Sequence, residues 1–191
     1  MSRGPSREGS EAAELAAADR EELLRIARGA IEAALSSWPE PAFSPRPELV
    51  RPRGAFVSLH DGGGELRGCV GQLRADRPLC ETVARMAVAA ATQDGRFASV
   101  TAAELPGLVI EISALGPLVP VRAKEVDVGR HGLVLRLDGR SGVLLPQVAV
   151  ENGWDRDQFL AKTAGKAGLP ADAWRRADVE ILVFTAEVFG E

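Results

Sequence analysis

The sequence has few of the residues that build metal sites and disulfides. Its 191 residues include only two histidines and two cysteines. These are His60, His131, Cys69 and Cys80, and their spacing fits no structural zinc pattern of paired ligands. We therefore predict no metal. Two distant cysteines without a signal peptide also favour a reducing compartment and argue against a structural disulfide.

Long apolar runs and a basic stripe are also missing. No run of 18 apolar residues occurs, so the sequence predicts no membrane-spanning segment. The formal net charge is -4 and the arginines are scattered, which disfavours binding to nucleic acid. Hydrophobic residues nevertheless make up 46% of the chain, enough for a sizeable core. We expect a globular protein of the cytoplasm.

The sequence motifs of several common enzyme classes are absent as well. Neither the P-loop, the HExxH motif nor the GxSxG motif occurs. The glycines between Gly62 and Gly68 superficially match GxGxxG, but they precede a strand instead of joining a strand to a helix. We therefore predict no cofactor.

The segment Gly54–Leu73 has the pattern of a β-hairpin with one polar face. Two alternating runs, AFVSLH and ELRGCV, flank Asp61-Gly62-Gly63-Gly64, a composition that suits a hairpin loop. With this loop the strands pair as His60 with Glu65, Ser58 with Arg67, and Phe56 with Cys69. The polar face then carries Ser58, His60, Glu65, Arg67 and Cys69. The other face is apolar and is predicted to be core, with Val57, Leu59, Leu66 and Val70.

Two glycines bracket the cysteine within the second strand of this hairpin. Gly68 and Gly71 destabilise a strand, and such glycines usually serve a bulge or the close approach of a ligand or another backbone. Arg67–Gly71 is therefore the best candidate for a binding site. The alternative is that Cys69 is a tight packing position and that Arg67 pairs with Glu65 on a solvated face.

The second strand of this hairpin resembles the signature of a known family. LRGCVGQL is similar to the LRGCIGT signature of the AMMECR-domain family, also called AmmeMemoRadiSam system protein A. Further matches follow in the family's order: DGRF at 94–97, LVIEISAL at 108–115, GLVLRL at 132–137, GVLLPQV at 142–148 and WDRDQFLAKTAGKAGLP at 154–170. The resemblance covers nearly the whole domain.

The resemblance implies an intracellular α+β domain whose bacterial members occur beside Memo-like and radical SAM proteins, which would be its partners. It also implies that Pro146 and Gln147 approach the signature strand. Two departures matter. Gln72 replaces the usual threonine after the signature, and Thr163 stands where many relatives carry a second cysteine. The second departure weakens any mechanism based on paired cysteines.

Two functions remain open at this point. In one, the chain is an enzyme for a small anionic substrate, with Cys69 as nucleophile and Arg67 positioning an oxyanion. In the other, the same surface binds a partner without chemistry. The predicted register places His60 roughly 13 Å along the sheet from the partner of Cys69, too far for a Cys-His pair. Only His131, Glu111 or a base from a partner could then act on the thiol, so we favour the accessory role.

The remaining chain predicts an α+β fold. Residues 1–16 read as a flexible tail and 17–191 as a single domain. We expect a helix from a cap at Asp19 to about Ser37, and a second helix after Pro78 that buries Cys80 and a stripe at Leu79, Val83, Met86, Ala87 and Ala90. Further expectations are a strand at 108–115, a hairpin turning at 139–141, a helix capped by Asp155 and Gln158, and one long strand at 179–189. Strands outnumber helices without a βαβ repeat, so the sheet should be mainly antiparallel, with packed helices and a larger and a smaller lobe.

Overall fold

The structure is a computed structural model that describes residues 14–36 and 46–191. It confirms an α+β fold, with helices and two four-stranded antiparallel sheets. The chain divides into two compact units. The larger unit ends at Leu115 and is completed by Glu187–Glu191, whereas the smaller unit comprises Gly116–Ala186.

The larger unit contains three helices and the sheet that carries the signature strand. The helices are α1 (Ala17–Ser36), α2 (Pro47–Val50) and α3 (Leu79–Thr92). The strands are β1 (Ala55–His60), β2 (Leu66–Gln72), β3 (Val109–Leu115) and β8 (Ala186–Gly190), in the order β2-β1-β3-β8. The signature strand β2 therefore lies at one edge of this sheet.

The smaller unit contains the second sheet and two helices. Its strands are β4 (Val119–Pro120), β5 (Gly132–Leu137), β6 (Arg140–Leu144) and β7 (Glu180–Phe184), in the order β4-β7-β5-β6. Its helices are α4 (Pro146–Glu151) and α5 (Arg156–Lys166). The predicted capping box of α5 is confirmed, because Asp155 accepts from the amide of Gln158 and Gln158 Oε1 accepts from the amide of Asp155.

Helices α1 and α3 cover one face of the first sheet and form the core of the larger unit with it. The predicted stripe of α3 is confirmed, since all five of its residues are buried. Cys80 is also buried, as predicted, with 3% of its surface exposed. From β1, Val57 and Leu59 point into the same core.

The register predicted for the hairpin is wrong by two residues. Cys69 lies opposite Ser58 instead of Phe56, and Phe56 lies opposite Gly71. One residue of the shift arises because the loop closes between Asp61 and Glu65, whose amide and carbonyl are 2.9 Å apart. The second arises because Arg67 bulges out of the ladder, so that Leu59 pairs with Gly68 but His60 pairs with Leu66.

A shift of two residues preserves most of the predicted faces. Phe56, Ser58 and Cys69 still lie on one face, because side chains alternate with a period of two. Leu66 is the exception. The bulge moves it opposite His60, where 38% of its surface is exposed, so its prediction as a core residue is wrong.

Three further predictions need correction. Helix α1 begins at Ala17, two residues before the predicted cap at Asp19. The second hairpin turns at Asp138 and Gly139, both with positive φ, instead of at 139–141. The predicted long strand at 179–189 is two strands that belong to different sheets. Alternation along the sequence continues through Thr185 and gives no sign of this change of sheet.

The predicted N-terminal tail lies mostly outside the described residues, since the structure describes nothing before residue 14. Leu15 is described, and it is buried in the core of the larger unit with 2% of its surface exposed. Its amide donates to the carboxylate of Glu187 on β8. The packed part of the chain therefore includes Leu15.

Candidate functional site

The candidate site is the face of the first sheet that helices α1 and α3 do not cover. We call it the open face. It comprises Phe56, Ser58 and His60 of β1 and the side chains of the other strands of this sheet that point to the same side. These three side chains are half-buried, whereas the alternating Val57 and Leu59 are fully buried on the helix side. The open face is thus the side of β1 from which a ligand can approach polar groups.

The centre of the open face is a row of three polar side chains on three strands. Cys69 lies opposite Ser58, and Ser58 lies opposite Glu111 on its other side. The Ser58 hydroxyl donates to Cys69 Sγ over 3.2 Å. Side chains directly opposite each other have Cβ atoms about 5 Å apart, so the thiol, hydroxyl and carboxylate are near neighbours.

His60 lies in the adjacent row, between Leu66 of β2 and Val109 of β3. In the observed register it is the diagonal neighbour of Cys69, at about 7–8 Å between Cα atoms. The predicted separation of roughly 13 Å rested on the wrong register and does not hold. Nδ1 of His60 lies 3.3 Å from the carbonyl of Gly64. With the proton on Nδ1, this contact is a hydrogen bond and Nε2 is left as an acceptor.

Packing explains both glycines that bracket Cys69. A Cβ added to Gly68 would come closer than 3.0 Å to the backbone carbonyl of Ala90 on α3. A Cβ on Gly71 would come equally close to the ring of Phe56, which lies over Gly71 on the open face. Gly68 therefore allows the close approach of α3, and Gly71 allows that of the Phe56 ring. The approach of a ligand is not needed to explain either glycine.

An aspartate closes the outer edge of the signature strand. The amide of Cys69 donates to Asp94 Oδ2 over 2.9 Å, and Arg96 donates to both oxygens of the same carboxylate. Arg96 also reaches the carbonyl of Cys69 at 3.4 Å. The hydrogen bond from Arg96, followed by that from the Cys69 amide, holds the pKa of Asp94 far below its usual range. Asp94 and Arg96 thus satisfy backbone groups that an edge strand otherwise exposes.

Sequence reasoning identifies Asp94 only within the DGRF match and does not find its role at the edge of the strand. An aspartate followed by glycine indicates a turn, and an arginine two residues later places a cation beside the carboxylate. Those signals predict the local structure, but they do not say which strand the turn covers.

Arg67 turns away from Glu65 and holds the loop that follows α3. Its Nε donates to Glu104 over 2.9 Å, and its two terminal nitrogens donate to the carbonyls of Ala98 and Ser99. Pairing of Arg67 with Glu65, the alternative drawn from the sequence, is therefore wrong. Backbone bonds from Thr101, together with Arg67, lower the pKa of Glu104 to about 2.

This arrangement predicts a loss of stability in acid. Because the folded-state pKa of Glu104 is depressed from 4.5 to about 2, its contribution is complete above pH 4.5 and is lost as the pH falls through about 2. We expect Glu104→Gln to remove this part of the pH dependence. Arg67→Met should remove only part of it, because the Thr101 amide remains. Urea denaturation across this pH window measures the effect, and Glu65→Gln, which removes an exposed carboxylate that does not pair with Arg67, is the control for removal of a surface charge.

Three other predicted site residues, Glu65, Pro146 and Gln147, are not members of this row. Glu65 is exposed at the end of the loop. Pro146 is buried and Gln147 half-buried in the first turn of α4, in the smaller unit. Among the residues that the structure describes, no group of three or more His, Cys, Asp or Glu side chains is arranged to hold a metal. No helix in these ranges is both long enough and apolar enough to cross a bilayer.

Comparisons with known proteins agree with one another. The AMMECR1 family model matches residues 24–189. A protein of Thermococcus gammatolerans is 42% identical over 181 residues, with 88% of both chains covered. A protein of Aeropyrum pernix is 42% identical over 198 residues, which cover 99% of this chain and 84% of the relative.

The fold is also similar to a solved structure. The crystal structure of the uncharacterized protein PH0010 from Pyrococcus horikoshii superposes with a TM-score of 0.81 at 40% sequence identity. The match covers 88% of this chain and 89% of that one. Because the family model matches most of the sequence, the chain belongs to the AMMECR1 family.

Proposed function

We propose that the chain is an accessory component that binds a protein partner over its open face. The proposed partner is the Memo-like or the radical SAM protein of an AmmeMemoRadiSam system, with which the family resemblance associates chains of this kind. The complex would form in the cytoplasm, where the two free cysteines stay reduced.

One observation carries the proposal. Five large hydrophobic side chains are exposed in the part of the chain that the structure describes, and three of them lie on the open face: Leu66, Val109 and Val188. Leu66 and Val109 flank His60 from the two neighbouring strands. Val188 lies on β8 between Glu187, which bonds to the amide of Leu15, and Phe189, which packs in the core, so its side chain projects from the opposite face.

This composition is suited to recognition of a protein surface. Exposed hydrophobic side chains that share one face with polar groups mark interaction sites, whereas single ones scattered over a surface need no explanation. The polar row of Cys69, Ser58 and Glu111 supplies hydrogen-bonding groups at the centre of the same face. A partner would gain affinity by burying Leu66, Val109 and Val188. Hydrogen bonds to the polar row would fix its orientation.

We expect Val109→Asp and Leu66→Asp to weaken binding to the partner. A buried valine or leucine contributes about 1.5–3 kcal/mol, so each variant should lose roughly ten- to a hundredfold in affinity. Biolayer interferometry with the purified Memo-like and radical SAM proteins of the same genome measures this. Val150→Asp is the matched control, because Val150 is also an exposed valine, at 60%, but lies on α4.

The Val150→Asp control distinguishes the loss of a specific interface from a general effect of an added surface charge. Equal losses in Val109→Asp and Val150→Asp would show that the open face is not the interface. The absence of measurable binding to either partner would reject the accessory role. Melting temperatures close to that of the unmodified chain are required of all three variants.

A second candidate function rests on the hydrogen bond from Ser58 to Cys69. We infer that the chain could act as an enzyme in which Cys69 attacks an electrophilic substrate on the open face. The candidate bases among the described residues are Glu111, which lies opposite Ser58 on β3, and His60, which lies two residues along β1.

The anionic substrate proposed with this enzyme has weaker support. Three of the five N–H groups of Arg67 already donate to Glu104, Ala98 and Ser99, and the Glu104 carboxylate already pairs with its charge, so an oxyanion would compete for the two that remain. The support for chemistry therefore comes from the thiol and its hydroxyl donor, and not from the arginine.

A further inference from the structure

The smaller unit contains a groove whose lining residues are not part of the open face. It lies between the turn that joins β5 to β6 and the segment that follows α5, and its volume is about 470 Å³. Small-molecule sites typically measure about 300–1,000 Å³. Its floor is apolar, because Leu137 and Ala173 are buried there and Leu169 and Pro170 complete the wall.

The rim of the groove carries two arginines whose positions are fixed in different ways. Arg176 makes a bidentate pair with Asp178, with distances of 2.9 and 2.7 Å. Arg140 donates from Nη1 to the carbonyl of Gly168 over 2.7 Å. This carbonyl orients the guanidinium of Arg140 without neutralising its charge.

The rim also carries two carboxylates, Asp138 and Asp172. Within the described ranges, neither carboxylate lies within ion-pair distance of a cation, Asp138 interacts with Arg176 only at longer range, and Arg140 has no carboxylate partner. Asp138 is held at the rim by its positive φ of 52° in the two-residue turn. Charged groups of both signs that lack a close ion-pair partner therefore line one concavity with an apolar floor.

We propose that this groove binds a small zwitterion with an apolar side chain, namely a free aliphatic α-amino acid. Its carboxylate bonds to the remaining N–H groups of Arg140, which can present two parallel donors. Its ammonium lies between Asp138 and Asp172, and its side chain packs on Leu169 and Pro170. Each charged group of the rim that lacks a partner thereby gains one. This inference does not depend on the function proposed for the open face.

The test is a titration of the ¹⁵N-labelled chain with three probes, followed by NMR. L-Leucine carries both charges, 4-methylpentanoate carries only the carboxylate, and isopentylamine carries only the ammonium. We expect leucine to shift the amides of 137–140 and 168–176 in a saturable way. Each of the other probes should bind at least about tenfold more weakly, since it leaves one set of charges unpaired.

Two variants and one control locate the site. Arg140→Met and Asp172→Asn should each weaken leucine binding about tenfold or more. Arg136→Met is the control, because Arg136 is an exposed arginine of β5 that pairs with Glu180 and does not line the groove. Spectra that are unchanged away from the groove verify folding, and Asp172→Asn serves as the test if Arg140→Met is misfolded.

Three outcomes would overturn the proposal. The first is the absence of saturable shifts with leucine. The second is binding of either half-ligand as tightly as leucine, which would show recognition of one charge only. The third is equal loss in Arg136→Met and Arg140→Met, which would show a general effect of surface charge.

Discussion

Gly68→Ala is expected to lower the free energy of unfolding of the larger unit by about 3 kcal/mol, the upper end of the usual cost of overpacking. The added methyl would meet the backbone carbonyl of Ala90, and neither the strand nor the helix can move away as a flexible side chain could. In a chain of this size that corresponds to a fall of roughly 6–12 °C in melting temperature. Calorimetry or urea denaturation measures it.

Gly165→Ala is the matched control, and it should have the opposite sign. Gly165 is an exposed residue of α5, with no heavy atom within 4 Å of an added Cβ. Alanine at an exposed helical position should stabilise the chain by about 0.5–1 kcal/mol. If Gly68→Ala is as stable as the unmodified chain, the close approach of α3 to β2 is not what requires glycine in the signature.

The sequence predicts those parts of the fold that depend on local patterns. The stripe of α3 and the capping box of α5 are read from spacing along a single helix, and both are confirmed. The division of 179–189 between two sheets could not be predicted, because each strand alternates in the same way whichever sheet it joins. Which sheet a strand joins depends on contacts far away in the sequence, and the periodicity of one strand does not show them.

The face that Cys69, Ser58 and His60 share was predicted, but their pairings were not. The hairpin composition identifies a polar face with Cys69, Ser58 and His60, and the structure places all three on the open face. Pairing them required knowing that Arg67 bulges, which depends on the hydrogen bonds that Arg67 makes to the loop after α3. A contact with residues about 30 positions away cannot be read from the hairpin sequence itself.

The correction of the register changes the chemistry that is available at the thiol. In the predicted register, Cys69 lay opposite an aromatic ring. In the observed register it lies opposite a hydroxyl, with Glu111 in the same row and His60 on the diagonal. The main argument against chemistry was the distance of His60, and the observed register removes that argument.

The two cysteines should differ greatly in reactivity. Cys69 is half-buried on the open face, whereas Cys80 is 3% exposed and burial raises its pKa. The thiolate is the species that is alkylated, so both exposure and pKa protect Cys80. Its labelling requires opening of the core, and we expect it to be at least about 10³-fold slower than that of Cys69. Iodoacetamide labelling of the native chain, with peptide mass spectrometry, compares them.

Ser58→Ala shows whether the hydroxyl activates Cys69. Without this hydroxyl the sulfur loses the hydrogen bond that it accepts, so labelling of Cys69 at neutral pH should slow measurably relative to the unmodified chain. Ser113→Ala is the control. Ser113 faces the same side of the sheet, opposite Phe56, and makes no bond to the thiol. Equal labelling of both cysteines would contradict the difference in burial. An unchanged rate in Ser58→Ala would leave Cys69 accessible but not activated, and the case for nucleophilic catalysis would then lose the observation on which it rests.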